Sequence, residues 1–173
     1  GCGARGKLSF GAMLKEREDC EVTALHDTNK VRLKHLSDYL GGRTYTNLDE
    51  MLDKEELDCA IITTPDAEHE RCAVKALDHG VNVLIDKPLA TTAKGCRNVI
   101  DAMKRSGKTA MIGFNLRHNP VLKKMKEIID EGVLGKIFLI ENREFYDGGR
   151  TYMSRWNGVK SYSGGLWIHK GSH

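Results

Sequence analysis

The chain begins Gly1-Cys2-Gly3-Ala4-Arg5-Gly6, a complete G-x-G-x-x-G with no residue before it to build the strand that such a loop follows. No other feature constrains the fold as strongly. In a strand-to-helix turn of this kind the first glycine permits the tight turn, the second lets the backbone approach a pyrophosphate, and the third lets the helix pack closely on the sheet. Gly6 then stands at the entry to a helix whose free N–H groups and positive end favour a phosphate. In a chain with 18 glycines the same residues also suit an ordinary turn, so the sequence downstream has to decide.

Phe10, Met13 and Leu14 fall at helical spacing, and Cys20 to Leu25 reads as a short strand ending at His26-Asp27. Asp27 lies 21 positions beyond Gly6, where an acid at the end of the second strand hydrogen-bonds both hydroxyls of an adenosine ribose. Its charge repels a 2′-phosphate, so NAD is favoured over NADP, although Lys30 and Arg32 nearby could receive that phosphate. The alternative for Asp27 is a helix N-cap.

Helix and strand patterns then alternate. Helices are predicted over 31–40, closed by Gly41-Gly42, and over 48–52. An apolar strand from Cys59 to Thr63 runs into Thr64-Pro65, and a helix follows with Cys72, Ala73, Ala76 and Leu77 on one face and Gly80 as its stop. Val81 to Ile85 is the next strand, ending at Asp86-Lys87-Pro88. Thr91 or Thr92 caps a helix carrying Cys96, Val99, Ile100 and Met103, and Thr109 to Phe114 is a further strand. Near-continuously apolar strands alternating with helices predict an α/β fold, a doubly wound parallel sheet covered on both faces. Ligands of such sheets bind beyond the carboxyl ends of the strands. Four sets of residues are expected at that edge: Asp27; Thr63, Thr64 and Pro65 with His69; Asp86 with Lys87; and Asn115 with Arg117.

Composition excludes several classes of function. Charged residues make up 29% and the net charge is +3, and the Lys123-Lys124-Met125-Lys126 cluster alternates with apolar positions, so no nucleic-acid face is expected. No apolar run approaches membrane-spanning length, and no membrane association is expected. The five cysteines are odd in number and lack C-x-x-C spacing. They suit free thiols in a reducing, cytoplasmic compartment better than disulfides or zinc.

The glycine loop, Thr64-Pro65-x-x-x-His69, Asp86-Lys87-Pro88, Gly113-Phe114-Asn115-Leu116-Arg117 and the tail Gly164-Gly165-Leu166-x-x-His169-Lys170-Gly171-Ser172-His173 together resemble the Gfo/Idh/MocA oxidoreductases. The resemblance implies an NAD(P)-dependent dehydrogenase acting on sugars, cyclitols or related polyols. It also implies an N-terminal Rossmann domain, here residues 1–117, followed by a C-terminal α/β domain with an open, mostly antiparallel sheet, here begun by residues 118–173, and a homo-oligomer at full length.

Carried over residue by residue, Gly1, Gly3, Ala4, Arg5, Gly6, Asp27, Thr63, Thr64, Pro65, His69, Asp86, Lys87 and Asn115 are the expected cofactor contacts. Lys87 matches the lysine of the family's Glu-Lys-Pro motif and would stabilise charge developing on the reacting hydroxyl oxygen, with Asp86 in place of the usual Glu. At the strand's end in a closed crevice, burial or a nearby cation can lower a lysine's pKa. His173 matches the histidine that serves as general acid/base, a task suited to imidazole. Many relatives carry an aspartate four positions earlier, where this chain has His169. That departure leaves the proton path open, and no metal is expected at the two histidines because Gly171 lies between them and no third carboxylate ligand is evident. For His69 the alternatives are a helix start whose backbone contacts cofactor, or a solvent-facing first-turn histidine.

Beyond residue 118, Asn119-Pro120 starts a helix with Leu122, Met125 and Ile129 as its stripe, and 137–145 reads as a long strand. The loop after it holds Tyr146, Arg150, Tyr152, Arg155 and Trp156, suited to stacking on and hydrogen-bonding to a polyhydroxylated substrate, or equally to a subunit interface. Arg117, Trp167 and His169 complete the candidate substrate set. A single strand and a glycine-rich segment do not make an independent sheet domain. The expectation is therefore a leading apolar strand before Gly1 and about as many residues again after His173. Two further functions fit the same fold: a cofactor-binding regulator without turnover, and an NAD-dependent glycosidase.

Overall fold

A computed structural model of the protein describes residues 1–145 and 148–172, Thr151 by its main chain alone; Tyr146 and His173 lie outside the described residues. Among the described residues, five short strands form two parallel sheets. β1 (Ala24–His26) pairs with β2 (Arg43–Tyr45), and β3 (Cys59–Ile62), β4 (Asn82–Asp86) and β5 (Ala110–Gly113) pair in that order. The glycine loop leads into a π-wound turn, Arg5–Gly11, which continues as α1 (Ala12–Lys15). Between the strands lie α2 (Lys30–Leu40), α3 (Leu48–Lys54), α4 (His69–Asp78, entered by a 3-10 turn Asp66–Glu68) and α5 (Ala93–Ser106).

Capping explains where these helices start. Asn29, Asn47 and Thr92 each offer a side-chain oxygen to N–H groups in the first turn of α2, α3 and α5. α5 ends where Gly107 turns left-handed at φ 66°. The main core lies where α4 and α5 cover the three-stranded sheet, with Leu77, Ile85, Val83 and Val99 almost completely buried. Truncating Leu77 to alanine there costs about 2–5 kcal/mol.

β1 and β3 are not hydrogen-bonded to each other, and a cavity of about 550 Å³ separates them, lined by residues of both strands together with Phe10, Leu14, Leu36 and Met51. In the doubly wound strand order, the strand that leads into the glycine loop occupies this place.

The structure departs from the sequence expectations at four places. The strand predicted from Cys20 is only Ala24–His26, because only these residues pair with β2. β2 itself was not foreseen, since Arg43-Thr44-Tyr45 is a largely exposed edge without apolar alternation. The long strand over 137–145 does not form: no strand pairs with it among the described residues, and Phe138, Leu139, Ile140 and Phe145 are exposed. A strand exists only with a ladder partner, whatever its apolar content. Also, Met13 faces outward instead of joining the face of Phe10 and Leu14.

After β5 a 3-10 turn (Asn115–His118) leads to α6 (Pro120–Asp130), capped by Asn119 with Pro120 at its first position. Three short helices, α7 (Gly149–Met153), α8 (Lys160–Ser163) and α9 (Leu166–His169), then return to the carboxyl edge of the sheet, where α8 packs on the Asp66–Glu68 turn.

Candidate active site at the carboxyl edge of the sheet

The glycine loop is shaped as its sequence requires. A Cβ at Gly1 would lie 2.7 Å from the Thr63 carbonyl oxygen, and one at Gly6 would lie 2.2 Å from the Gly1 carbonyl oxygen and 3.0 Å from Thr63 Oγ1. Neither position admits a side chain. Thr63 Oγ1 also donates to the Gly1 carbonyl at 2.7 Å, tying the loop to the end of β3. At Gly3 a Cβ would meet nothing within 4 Å, so the face of the loop is open. Closed behind and open in front, these residues fit a pyrophosphate lying on the loop at the start of a helix.

Asp27 is buried, and both of its carboxylate oxygens already accept from the backbone, Oδ2 from Cys2 N–H at 2.7 Å and Oδ1 from Asn29 N–H at 2.8 Å. Asn29, not Asp27, caps α2. Ribose hydroxyls would share oxygens that first of all fix the loop against β1, each of which keeps a second lone pair. Burial pushes the neighbouring Cys2 thiol up to about 11.

Arg5, one of the expected cofactor contacts, pairs its side chain with Asp86, Nε to Oδ2 at 2.9 Å and Nη2 to Oδ1 at 3.2 Å. Asp86 Oδ1 also accepts from the Lys87 N–H at 3.0 Å. His69 is not solvent-facing: the residue is 1% exposed, and its ring is enclosed, with Nδ1 2.6 Å from the Pro88 carbonyl and Nε2 3.0 Å from the Thr64 carbonyl. Bracing the ends of β3 and β4 is thus its role, and the Lys87-Pro88 peptide beside it is cis.

Lys87 is 8% exposed, and its Nζ donates to the main-chain carbonyl of His169. Burial lowers its pKa from the ordinary lysine value, while Asp66 and Asp86 act to raise it and Lys170 and Arg5 to lower it further. The His169 ring is buried as well. Its Nδ1 lies 2.6 Å from Asp66 Oδ2, its Nε2 lies 3.3 Å from Asn157 Nδ2, and the rings of Tyr152 and Trp156 stand 5.9 and 5.4 Å away.

Asp66 was missed by sequence reasoning, because an acid directly after a proline reads as a turn residue. Of the candidate substrate residues, Tyr152, Trp156 and His169 gather here. Arg155 and Trp167 are exposed, Trp167 at 89%, and the exposed Arg117 guanidinium stacks over its own Phe114 ring at 5.0 Å beside an exposed Asn115. The cavity between β1 and β3 touches the glycine loop but not Lys87, Asp66 or His169, so it is distinct from this site.

Comparison with known proteins agrees with this fold. The family model described as an oxidoreductase family, NAD-binding Rossmann fold, matches residues 1–114, and that of the same family's C-terminal α/β domain matches residues 126–173. An uncharacterized oxidoreductase of Streptococcus pneumoniae is 30% identical over 172 residues, 96% of this chain and 46% of that protein. Inositol 2-dehydrogenase 2 of Saccharopolyspora erythraea is 28% identical over 82% of this chain and 42% of its own length. Among solved structures, the WlbA dehydrogenase of Chromobacterium violaceum, in complex with NADH and UDP-GlcNAcA, superposes with a TM-score of 0.94 at 26% identity, covering 100% of this chain and 51% of that one. The chain thus spans about half the length of the relatives it matches. With its glycine loop, its buried Lys87 and both domain matches in order, the chain belongs to the Gfo/Idh/MocA oxidoreductase family.

Proposed function

We propose that this chain carries the cofactor site and the reacting-group lysine of an NAD-linked dehydrogenase that acts on a CH–OH group of a sugar, cyclitol or related polyol. The observation that carries the reading is the buried Lys87 at the end of β4, bracketed by the glycine loop through Arg5–Asp86 and by the returning segment through His169. NAD bound on the glycine loop supplies the hydride acceptor. Lys87 donates a hydrogen bond to the substrate oxygen and stabilises negative charge as it develops there, an effect strengthened by exclusion of water. His173 takes the hydroxyl proton. Asp27 favours NAD over NADP by its charge beside the ribose. Tyr152 and Trp156 offer apolar faces to a sugar ring.

The inositol dehydrogenase and the nucleotide-sugar-bound dehydrogenase among the relatives support this substrate class. The test is to incubate the full-length protein with NAD and a panel of sugars, cyclitols and nucleotide sugars while following reduced nicotinamide at 340 nm. Turnover that disappears in Lys87→Ala and His173→Ala supports the reading. NAD binding without turnover of any panel member argues for a regulator instead, and unchanged rates in both variants refute the assigned roles.

A further inference from the structure

The carboxylate most deeply placed in the site belongs to a residue that no motif singles out. Asp66 is 2% exposed, sits in the 3-10 turn between β3 and α4, and reaches across 103 positions of sequence to His169 Nδ1 at 2.6 Å. A carboxylate only accepts, so Nδ1 carries the proton. The Asn157 amide at 3.3 Å then donates to Nε2, a consistent set of donors and acceptors with the ring in its Nδ1–H form. Fixing the ring in this way also fixes the main chain of residue 169, whose carbonyl accepts from Lys87 Nζ. One carboxylate therefore determines both a histidine tautomer and the seat of the buried lysine.

We propose that Asp66 is a positioning residue of the active site, which holds His169 as the Nδ1–H tautomer and, through the His169 carbonyl, sets Lys87 against the reacting oxygen. This rests on the dehydrogenase reading for its catalytic consequence but not for its structural content. At this buried position the Asp66 charge also helps keep Lys87 protonated, alongside Asp86 and against Lys170 and Arg5. The arrangement places a carboxylate beside residue 169 although residue 169 is itself a histidine.

The decisive experiment uses the full-length enzyme with 15N-labelled histidine and 13C-labelled lysine side chains, His169 and Lys87 being assigned by His169→Gln and Lys87→Arg. In the wild type, long-range 1H–15N spectra should show His169 protonated at Nδ1; an Nε2–H ring overturns the proposal without any variant. Asp66→Asn keeps the shape and can still accept a hydrogen bond but removes the charge. It should leave NAD affinity within twofold and lower the titration midpoint of Lys87. It should also reduce kcat by roughly 10- to 100-fold, the loss expected for a charge-assisted hydrogen bond, with little change in KM. Asp66→Ala, which removes the acceptor, should shift the ring toward Nε2–H. Asp66→Asn/His169→Asp, which moves the carboxylate to the other partner, should recover part of the lost kcat. A Lys87 midpoint and kcat in Asp66→Asn equal to wild type would show a packing role only and overturn the proposal. If no substrate turns over at all, the dehydrogenase reading fails by itself, while the His169 tautomer and the Lys87 midpoint still decide the role of Asp66.

Discussion

The guanidinium of Arg5, in the glycine loop, grips the carboxylate of Asp86, immediately before Lys87, at two points of 2.9 and 3.2 Å. Residues 81 positions apart thereby couple the cofactor loop to the turn that carries the lysine. Arg5 is 38% exposed at its side chain, so solvent and salt weaken the pair. Arg5→Ala is expected to cost only about 0.5–1 kcal/mol of stability, with the difference shrinking at high salt. Thermal unfolding at 20 and 500 mM salt measures this; a salt-independent loss of several kcal/mol would rule out the screened-pair account.

Lys87 supplies the pH prediction. Its pKa is lowered by burial, so a cation-dependent step should fail as pH rises through a value below 10.5, the ordinary lysine pKa. Lys87→Arg should remove that alkaline limb because the guanidinium does not titrate there. Lys87→Ala should reduce kcat by about 10²–10³-fold, as for loss of one donor to a developing oxyanion. A pH–rate profile of the three proteins reads both effects.

Gly3 and Gly6 should separate function from folding. Gly3→Ala meets no atom within 4 Å, so its melting temperature should match wild type while NAD binding weakens at least about tenfold as the Cβ intrudes on the approach to the loop. Gly6→Ala places its Cβ on the Gly1 carbonyl and should destabilise the fold by about 1–3 kcal/mol or more. Calorimetry with NAD and thermal melts distinguish the two; equal stability losses would contradict the geometry.

Asp27→Ala leaves two backbone N–H groups, of Cys2 and Asn29, without their acceptor. The expected loss of stability is about 1–3 kcal/mol for each one that water cannot reach. NAD affinity should fall further than NADP affinity, because the charge that opposes a 2′-phosphate is also gone. Parallel titrations with the two cofactors test this, and equal losses would remove Asp27 from ribose recognition.

Glu55 gives a prediction about folding alone. Its buried carboxylate accepts from Arg43 Nε at 2.5 Å and from the Tyr45 hydroxyl, which hold its pKa below the ordinary glutamate value of 4.5. A depressed pKa in the folded state means stability that is present above about pH 4.5 and is lost as pH falls through the folded value. Glu55→Gln should therefore melt below wild type at pH 7, with the gap narrowing as pH falls below 4.5.

Sequence legibility follows the range of the interaction. The βα alternation, the apolar face of α4 and the stop at Gly80 were readable, because each depends on neighbours within a few residues. β2 and the failed strand over 137–145 were misjudged for one reason: pairing depends on a distant partner, which composition does not reveal. His69 looked like a surface or cofactor residue until the Pro88 and Thr64 carbonyls closed on its ring.

By itself the sequence determined the glycine loop, the placement of Asp27 and Lys87 at strand ends, and through them the family, since spacing along one chain encodes turns, caps and strand termini. Only the tertiary structure decided what those groups touch. It turned Asp27 toward the loop backbone and Arg5 toward Asp86, and brought Asp66 onto His169 beneath Lys87. Contacts across 25, 81 and 103 residues arise when separate elements bury their surfaces together, and no local pattern specifies them.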